Sequence, residues 1–189
     1  TLGAMLKRLF KLVPELERLR LSSIDPAEVD PDLEELITGD ARVMPHVHLS
    51  VQAGSDLVLK RMKRRHLRED VIRLTERLRT KRPELAFGAD LITGFPTETD
   101  AQFEDTLALV DEAGLSFLHV FPYSPRPGTP AAKMPQVEPR VRKARAAALR
   151  AEGEAAMTRL LERLVGGEHE VLVERGGRGH TPHFAPIVL

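Results

Sequence analysis

Apolar residues along this chain follow two alternating patterns, which predict a succession of strands and helices. Short apolar runs predict strands at residues 19–24, 47–51, 86–92 and 117–121. The stretches between these runs repeat apolar residues every three or four positions, as amphipathic helices do. Strands that alternate with helices form parallel sheets with right-handed crossovers. The pattern predicts an α/β fold, either an open doubly wound sheet or part of a barrel.

The third predicted strand, residues 86–92, is apolar on both faces except for one charged residue, Asp90. A glycine and a proline end this run. Thr99 then stands three residues before Gln102, which is the spacing of a capping box at a helix start. A carboxylate flanked by apolar neighbours must be paired with a hydrogen-bond donor or a cation when it is buried. The residue type alone leaves open a structural ion pair or a contact to a ligand.

The pattern changes after residue 138. An Ala-, Arg- and Glu-rich stretch with a thin apolar stripe predicts one long helix, and two consecutive glycines end it. The remaining residues contain two alternating runs, 169–174 and 183–189, which predict two strands joined by a glycine-rich turn. Two strands are too few for an independent unit, so we expect the start of a small β-domain. The predicted divisions are a barrel portion at 1–138, a connecting helix at 139–166 and the β-domain at 167–189.

The composition limits the function classes without selecting one. The 189 residues carry 28 basic and 28 acidic side chains, so the net charge is zero and does not indicate nucleic-acid binding. The chain has no cysteine, which excludes a disulfide framework and a thiolate metal site within it. No apolar run is long enough to span a membrane and no leader pattern stands at the start, which favours the cytoplasm. Because the chain begins inside a helical pattern and without Met, we expect a fragment of a longer protein.

Polar side chains gather where the predicted strands end. These residues are Ser22, Ser23, Gln52, Asp90, Tyr123 and Ser124. Parallel strands lie about 4.8 Å apart, so their carboxyl ends are close enough to line one pocket. This gathering favours part of a barrel over an open sheet. A cationic run follows at residues 60–65, mostly expected in solvent, and one arginine that folds back would clamp a carboxylate in bidentate fashion.

Two weaker signals remain open. His46 and His48 place two imidazoles on one face of a strand, but without a third ligand nearby in the sequence we favour core or pocket polar groups over a metal site. Four arginines of the predicted long helix would bind phosphate if they face RNA, whereas the interspersed glutamates are equally typical of an ordinary charged face. They are Arg140, Arg142, Arg145 and Arg150.

Five strings occur in an order that resembles one enzyme family. They are RLRLSSIDP, PHVHLSVQAGSD, LKRMKRRH, FGADLITGFPTET and FLHVFPYSPRPGTPAAKMPQV. Together they span residues 19–137 and resemble the radical S-adenosylmethionine (SAM) methylthiotransferases that modify tRNA. The last string most resembles the branch that acts on threonylcarbamoyladenosine beside the anticodon. The resemblance implies a partial (β/α) barrel of about four parallel strands, followed by a long helix and a small TRAM-like RNA-binding β-domain.

The resemblance also implies a role for the polar strand ends, because this superfamily binds SAM across the carboxyl face of the barrel. Gln52 matches a strand-end residue near the methionyl group. Arg64 matches an arginine that pairs with the methionyl carboxylate, and Asp90 matches an acid near the amino group. The neighbouring Arg65 stays an alternative to Arg64. The implied contacts further include Ser22 and Ser23 at the ribose, Ile92 and Gly94 along the adenine, and Tyr123.

The family's chemistry needs a [4Fe-4S] cluster on a Cys-x-x-x-Cys-x-x-Cys loop and a second cluster on another domain, whereas this chain has no cysteine. We therefore expect a methylthiotransferase parent that uses SAM and both clusters on tRNA, and a fragment that is catalytically inactive by itself. Three alternatives stay open. They are a sister enzyme acting on isopentenyladenosine in tRNA or on a ribosomal-protein aspartate, a cluster-free RNA-binding protein, and an unrelated barrel enzyme with Asp90 as general base.

Overall fold

The computed structural model describes residues 1–189 and shows strands that alternate with helices as far as β3. The helices are α1 (Leu2–Leu12), α2 (Pro31–Gly39), α3 (Asp56–Arg61), α4 (Arg68–Lys81), α5 (Asp100–Glu112) and α6 (Pro139–Leu164). The strands are β1 (His46–Gln52), β2 (Ala86–Thr93), β3 (Leu115–Pro122), β4 (Leu172–Val173), β5 (Arg178–His180) and β6 (Pro186–Val188). Short 3-10 turns lie at Pro26–Glu28, Ala131–Lys133 and Arg175–Gly177.

The central sheet contains β1, β2 and β3 in that order, and both neighbouring pairs are parallel. The predicted α/β fold is confirmed, but the sheet has three strands rather than about four. The segment predicted as the first strand forms only two isolated parallel bridges, at Leu19 and at Ile24. Met44 and Ser50 donate their amides to this segment, whereas the amide of His46 between them donates to the carbonyl of Met44 (2.7 Å). A continuous ladder therefore does not form.

The two faces of the central sheet differ in chemistry. On one face Val47, Leu49 and Leu91 are fully buried in a core of 25 residues, to which α4 and α5 contribute. Successive side chains of a strand point to opposite faces, so His48 and Asp90 share the other face. Sheets of parallel strands are normally apolar on both faces. Polar residues on this open face of the sheet therefore mark it as the face to search for a functional site.

The loop after β2 is fixed by the predicted capping box at the start of α5. The amide of Gln102 donates to Oγ1 of Thr99 (3.3 Å), and the amide of Thr99 donates to Oε1 of Gln102 (3.1 Å). Each bond satisfies an amide that lacks a partner within the helix. The box confirms this part of the sequence analysis and sets where the chain turns beyond the carboxyl end of β2.

The predicted long helix is confirmed as α6, which packs along β3 over 26 residues. Leu149 is fully buried, and Gly153 lets the helix approach β3 closely, since a Cβ there would lie 2.9 Å from the side chain of Leu118. This close packing ties the helix to β3, the edge strand of the sheet. No helix, α6 included, is apolar enough over a sufficient length to cross a membrane.

The arginines of α6 have partners within the chain. Arg145 is buried, and its Nη1 donates to Oε2 of Glu98 (2.7 Å). Arg142 donates to a backbone carbonyl just after β3 (2.6 Å). Arg140 and Arg150 also donate to groups of the protein. These contacts favour intramolecular roles for the four arginines, and contact with RNA stays a prediction.

The last residues form a small antiparallel sheet in the order β4-β5-β6. The expectation of two strands is wrong, because part of the glycine-rich stretch taken as a turn is itself the strand β5. The chain reverses again after β5, where the amide of Thr181 donates to the carbonyl of Ala185 (3.0 Å). The ring of Phe184 stacks on His180 (4.5 Å between centroids). The guanidinium of Arg20 lies over the same Phe184 ring (4.9 Å), and this contact joins the small sheet to the rest of the chain. A TRAM-like domain stays a prediction.

Candidate functional site

Asp90 lies on the open face of β2, where three side chains hold its carboxylate. Ser23 donates from Oγ to Oδ2 (2.7 Å). Nε2 of His48 lies 3.0 Å from Oδ1, and Nδ1 of His119 lies 3.1 Å from the same oxygen. The Asp90 side chain keeps 21% of its exposure. The partner that the sequence analysis required for this carboxylate is therefore a set of three hydrogen-bonding side chains on adjacent segments.

These contacts determine the charge of Asp90. Burial raises the pKa of the carboxyl, but the hydrogen bonds from Ser23, His48 and His119 outweigh it and bring the pKa below its ordinary value. The carboxylate is thus ionised at neutral pH. The open face of the sheet presents a fixed negative charge.

His119 was missed by the sequence analysis, although it completes a group of three potential metal ligands with His48 and Asp90. The three residues come from three different strands, and no spacing along the chain brings them together. The available signal was the alternation in β3, which places His119 between two phenylalanines on the same face as its register partner Asp90. Only the register between strands makes this proximity visible.

His46 behaves differently from His48. The residue is only 4% exposed, and its ring packs edge-on against Phe117 with 5.1 Å between the ring centroids. Neither ring nitrogen has a hydrogen-bond partner. Burial lowers the pKa of His46 to about 3, so the ring is neutral at physiological pH. The preference for a core or pocket imidazole fits His46, whereas His48 contacts a carboxylate.

Gln52 and Arg64 line one cavity of about 390 Å³ at the carboxyl ends of the strands, together with Ile92 and Tyr123. Gln52 reaches it from an irregular strand end, since the register shifts after Leu49 and the backbone of Gln52 has φ +76°. The volume falls within the range of small-molecule sites, about 300 to 1,000 Å³. Two of the residues that resemblance assigns to SAM are therefore neighbours in space.

The guanidinium of Arg64 is partly satisfied by the protein. Nη2 donates to Oδ2 of Asp25 (3.1 Å) and to the carbonyl of Ser50 (2.7 Å). Nε is buried and has no partner. Arg65 does not line the cavity, since 62% of its side chain is exposed and it pairs with Glu28 and, at 3.5 Å, with Asp25. The geometry therefore favours Arg64 over Arg65 as the residue that faces the cavity.

Asp90 is not part of the wall of this cavity. Ile92, two residues further along the same face of β2, is the wall residue, and two residues of a strand span roughly 7 Å. A second hollow of about 420 Å³ shares Ile92 and Tyr123 with the first and extends toward Phe121. We expected Gln52, Arg64 and Asp90 to line a single hollow. Gln52 and Arg64 do line one, whereas Asp90 does not.

Two further predicted residues have surroundings that the sequence did not indicate. Ser22 is exposed beside the bridge at Ile24, next to the Ser23 that contacts Asp90. Gly94 has φ +68°, and a Cβ there would overlap the side chain of Arg142 on α6. The requirement for glycine at this position therefore follows from helix packing and backbone conformation. An adenine contact is not needed to explain it.

A family model described as the radical SAM superfamily matches residues 2–110. The chain belongs to the radical SAM superfamily. Full-length members use SAM and a [4Fe-4S] cluster, and this chain contains no cysteine with which to hold one. The matched region of this superfamily member contains β1, β2 and all but the last two residues of α5.

Three relatives of this superfamily member are tRNA-modifying enzymes. The threonylcarbamoyladenosine tRNA methylthiotransferase MtaB of Rickettsia prowazekii is 54% identical over 189 residues, which are 100% of this chain and 45% of that protein. The tRNA-2-methylthio-N(6)-dimethylallyladenosine synthase of Ruegeria pomeroyi is 42% identical, over 94% of this chain and 40% of that protein. The synthase of the same name from Bartonella bacilliformis is 40% identical, over 100% and 42%. The chain spans less than half the length of these relatives.

Two solved structures share the fold of this superfamily member. Coproporphyrinogen III oxidase (HemN) from Escherichia coli, a radical SAM enzyme, aligns with a TM-score of 0.61 at 23% identity, over 84% of this chain and 37% of that one. The archaeal Elp3 of Methanocaldococcus infernus aligns with a TM-score of 0.54 at 16% identity, over 72% and 32%. These likenesses support the partial-barrel architecture.

Proposed function

We propose that this chain binds SAM at the carboxyl ends of β1, β2 and β3, and that it forms part of a tRNA methylthiotransferase. The observation that carries the proposal is Arg64, whose buried Nε has no partner and whose side chain lines a cavity with Gln52. A buried charged donor without a partner is costly, so it calls for an acceptor. A carboxylate is the acceptor that guanidinium matches best.

The other contacts of Arg64 prepare it for this role. Its bonds to Asp25 and to the carbonyl of Ser50 fix the plane of the guanidinium. A ligand that binds the remaining donors then loses little further side-chain entropy. Gln52 adds an amide with both donor and acceptor atoms to the same wall. We assign Arg64 to the methionyl carboxylate of SAM and Gln52 to the neighbouring polar atoms of the methionyl group.

Asp90 is assigned to the methionyl amino group. Its carboxylate is ionised and is oriented by Ser23. Asp90 is also two residues from Ile92, which lines the cavity on the same face of β2. An ammonium placed between the cavity and Asp90 gains a charged partner that is partly shielded from water. The amino acid head group would then have a cation at its carboxylate and an anion at its ammonium.

The nucleoside half of the cofactor is assigned to the remaining residues. Ser22 and Ser23 are hydroxyl side chains beside the strand ends and are suited to the ribose oxygens. Ile92 and Tyr123 form the wall that the two adjoining hollows share, and an apolar and aromatic wall suits a flat base. Gly94 lines neither hollow, so its assignment to the adenine rests on the resemblance alone.

When bound, SAM supplies the radical chemistry of the superfamily, and the residues described here bind, orient and shield it. No cysteine is present to ligate a cluster, so these residues do not fit that group. Any cluster must be held by residues outside this chain. The chain by itself is proposed to bind the cofactor without turnover.

Threonylcarbamoyladenosine in tRNA is the substrate favoured by similarity. The relative named for it is 54% identical over the whole chain, against 42% and 40% for the two dimethylallyladenosine synthases. The full-length protein is proposed to methylthiolate the adenine of this nucleoside in the cytoplasm. The second candidate is the synthase reaction, and an assay of the full-length protein on tRNA with each nucleoside separates the two.

Titration of this chain with SAM by calorimetry tests the cofactor site. We expect Arg64→Ala to weaken binding roughly 10- to 100-fold, because a hydrogen bond to a charged group is worth about 1.5 to 3 kcal/mol. Arg65→Ala is the matched control and should bind as the unmodified chain does. Absence of SAM binding, or an equal or greater loss in the Arg65 variant, overturns the assignment.

A further inference from the structure

His48, Asp90 and His119 bring three possible metal ligands to one point on the open face of the sheet. We propose that these three residues bind a divalent transition-metal ion of the Zn²⁺ class. Each comes from a different strand of β1, β2 and β3, so the backbone hydrogen bonds of the sheet fix their separation. Their ligand atoms all lie within 4.8 Å of one another. The proposed site is called the His-Asp-His site below.

The distances fit a coordination shell. Nε2 of His48 and Nδ1 of His119 lie 3.0 and 3.1 Å from the same Oδ1 of Asp90. Two ligands that each lie about 2.1 Å from a tetrahedral Zn²⁺ are about 3.4 Å apart, so each nitrogen would move only about 0.4 Å away from Oδ1. The two rings are neighbours, with 4.5 Å between centroids and an angle of 35° between their planes. A metal could therefore enter with small side-chain rotations and no movement of the strands.

The donor set selects a class of metal. Two imidazoles and one carboxylate suit Zn²⁺, Ni²⁺, Cu²⁺ or Fe²⁺, whereas Mg²⁺ and Ca²⁺ prefer oxygen ligands. Three protein ligands leave the remaining positions to water or another small ligand. The His119 side chain is 61% exposed, so an ion can reach the site from solvent.

Groups around the His-Asp-His site support its ligands. Ser23 donates to Oδ2 of Asp90 and is itself within 2.7 Å of Ser50, which leaves Oδ1 to face the histidines. Such outer contacts orient ligands in metal sites. Gly88 makes room for the ring of His48, since a Cβ at Gly88 would overlap Nδ1. The ligands are thus held in place before any ion binds.

The His-Asp-His site shares Asp90 with the proposed cofactor site. Zn²⁺ and the ammonium of SAM are then alternative cations for one carboxylate. Only this competition rests on the proposed function, because metal binding itself depends on the three ligands alone. SAM is therefore expected to weaken Zn²⁺ binding to the chain.

Calorimetric titration of the 189-residue chain with Zn²⁺ tests the proposal. We expect one ion per chain, and His119→Ala and Asp90→Asn should each weaken binding by at least roughly 10-fold. His169→Ala is the matched control, because this histidine lies at the carboxyl-terminal end of α6, where it contacts the carbonyl of Leu164 (3.0 Å) and the ring of His183 and none of the three proposed ligands. His119 is exposed, so its replacement should leave folding intact, which circular dichroism checks.

Each outcome decides one of the two proposals. Lack of Zn²⁺ binding, equal binding in the His119 variant, or equal affinity for Mg²⁺ overturns the metal site and leaves the SAM assignment standing. Stoichiometric binding that depends on His119 and Asp90 supports it. If SAM binds without weakening Zn²⁺ binding, the assignment of Asp90 to the ammonium fails while the metal site stands.

Discussion

The imidazole of His119 and the carboxylate of Asp90 are register partners on β3 and β2, with Nδ1 3.1 Å from Oδ1. Together with Ser23 and His48, His119 keeps that carboxylate ionised on the open face of the sheet. The negative charge is thus built by strand pairing and does not depend on a lysine or arginine. A cationic ligand can approach it without displacing a lysine or an arginine.

Replacing Asp90 by Asn tests whether this charge binds the cofactor. The change keeps the shape of the side chain and removes its charge, so SAM affinity should fall roughly 10- to 100-fold in a calorimetric titration. Ser23→Ala gives the comparison, since it removes one hydrogen bond to Oδ2 and the proposed ribose contact but leaves the charge in place. It should lose less affinity than Asp90→Asn. Unchanged affinity in the Asn variant would contradict the assignment.

His46 is expected to make the fold less stable as the pH falls below about 6.5. Burial lowers its pKa to about 3, so the folded state keeps the ring neutral while the unfolded chain takes up a proton. The free energy of unfolding should fall by at most about 1.4 kcal/mol for each pH unit in that window. Urea unfolding of the wild type and of His46→Phe at about pH 7 and about pH 5.5 measures this. Equal pH dependence in both proteins would refute the prediction.

Gly94→Ala should destabilise the protein by about 1 to 3 kcal/mol. A residue with a Cβ is strained at φ +68°, and the new methyl group would overlap the side chain of Arg142. Gly39→Ala is the control, because that glycine has nothing within 4 Å of an added Cβ. Adding Arg142→Ala to the Gly94 variant should recover the part of the lost unfolding free energy that comes from overlap with the Arg142 side chain. The part that comes from backbone strain should remain. Thermal and urea unfolding of the four proteins measure these differences.

Arg145→Leu should cost about 3 to 5 kcal/mol, because it leaves the buried carboxylate of Glu98 without its charged partner. Burial already raises the pKa of Glu98, and the hydrogen bond from the amide of Gly94 and the contacts of Arg145 counter that rise. Without Arg145 the pKa should rise further, so the loss in unfolding free energy should be smaller at low pH. Arg140→Leu, an exposed position on the same helix, should change stability little.

The strands, helices and caps were largely predictable because they follow local rules. The capping box at Thr99 and the long helix α6 were predicted from residue spacing alone, and the structure confirms both. The strand predicted at residues 19–24 failed because the amide of His46, on a different segment, donates to the carbonyl of Met44 and does not continue the ladder. In the carboxyl-terminal sheet β4 and β6 lie within the two predicted strands, and only β5 was missed, since its three residues carry too little pattern to detect.

The strand-end pattern pointed to Gln52, Asp90 and Tyr123, whereas Arg64 was singled out by the resemblance, and their roles stay predictions. Gln52 and Arg64 meet at a cavity as expected, and the choice of Arg64 over Arg65 needed the observed directions of the two side chains. His119 could not be found from the sequence, because its nearness to Asp90 depends on the register of β3 against β2. A register is a property of the folded sheet and leaves no mark on sequence spacing.

The close fit of Gly88 against the ring of His48 links two positions 40 residues apart, which face each other in the β1–β2 ladder. During divergence of the family, a side chain larger than hydrogen at position 88 would force the imidazole at position 48 out. We therefore expect these two positions to co-evolve among homologues. Homologues without glycine at position 88 should also lack histidine at position 48, and with it the hydrogen bond to the Asp90 carboxylate.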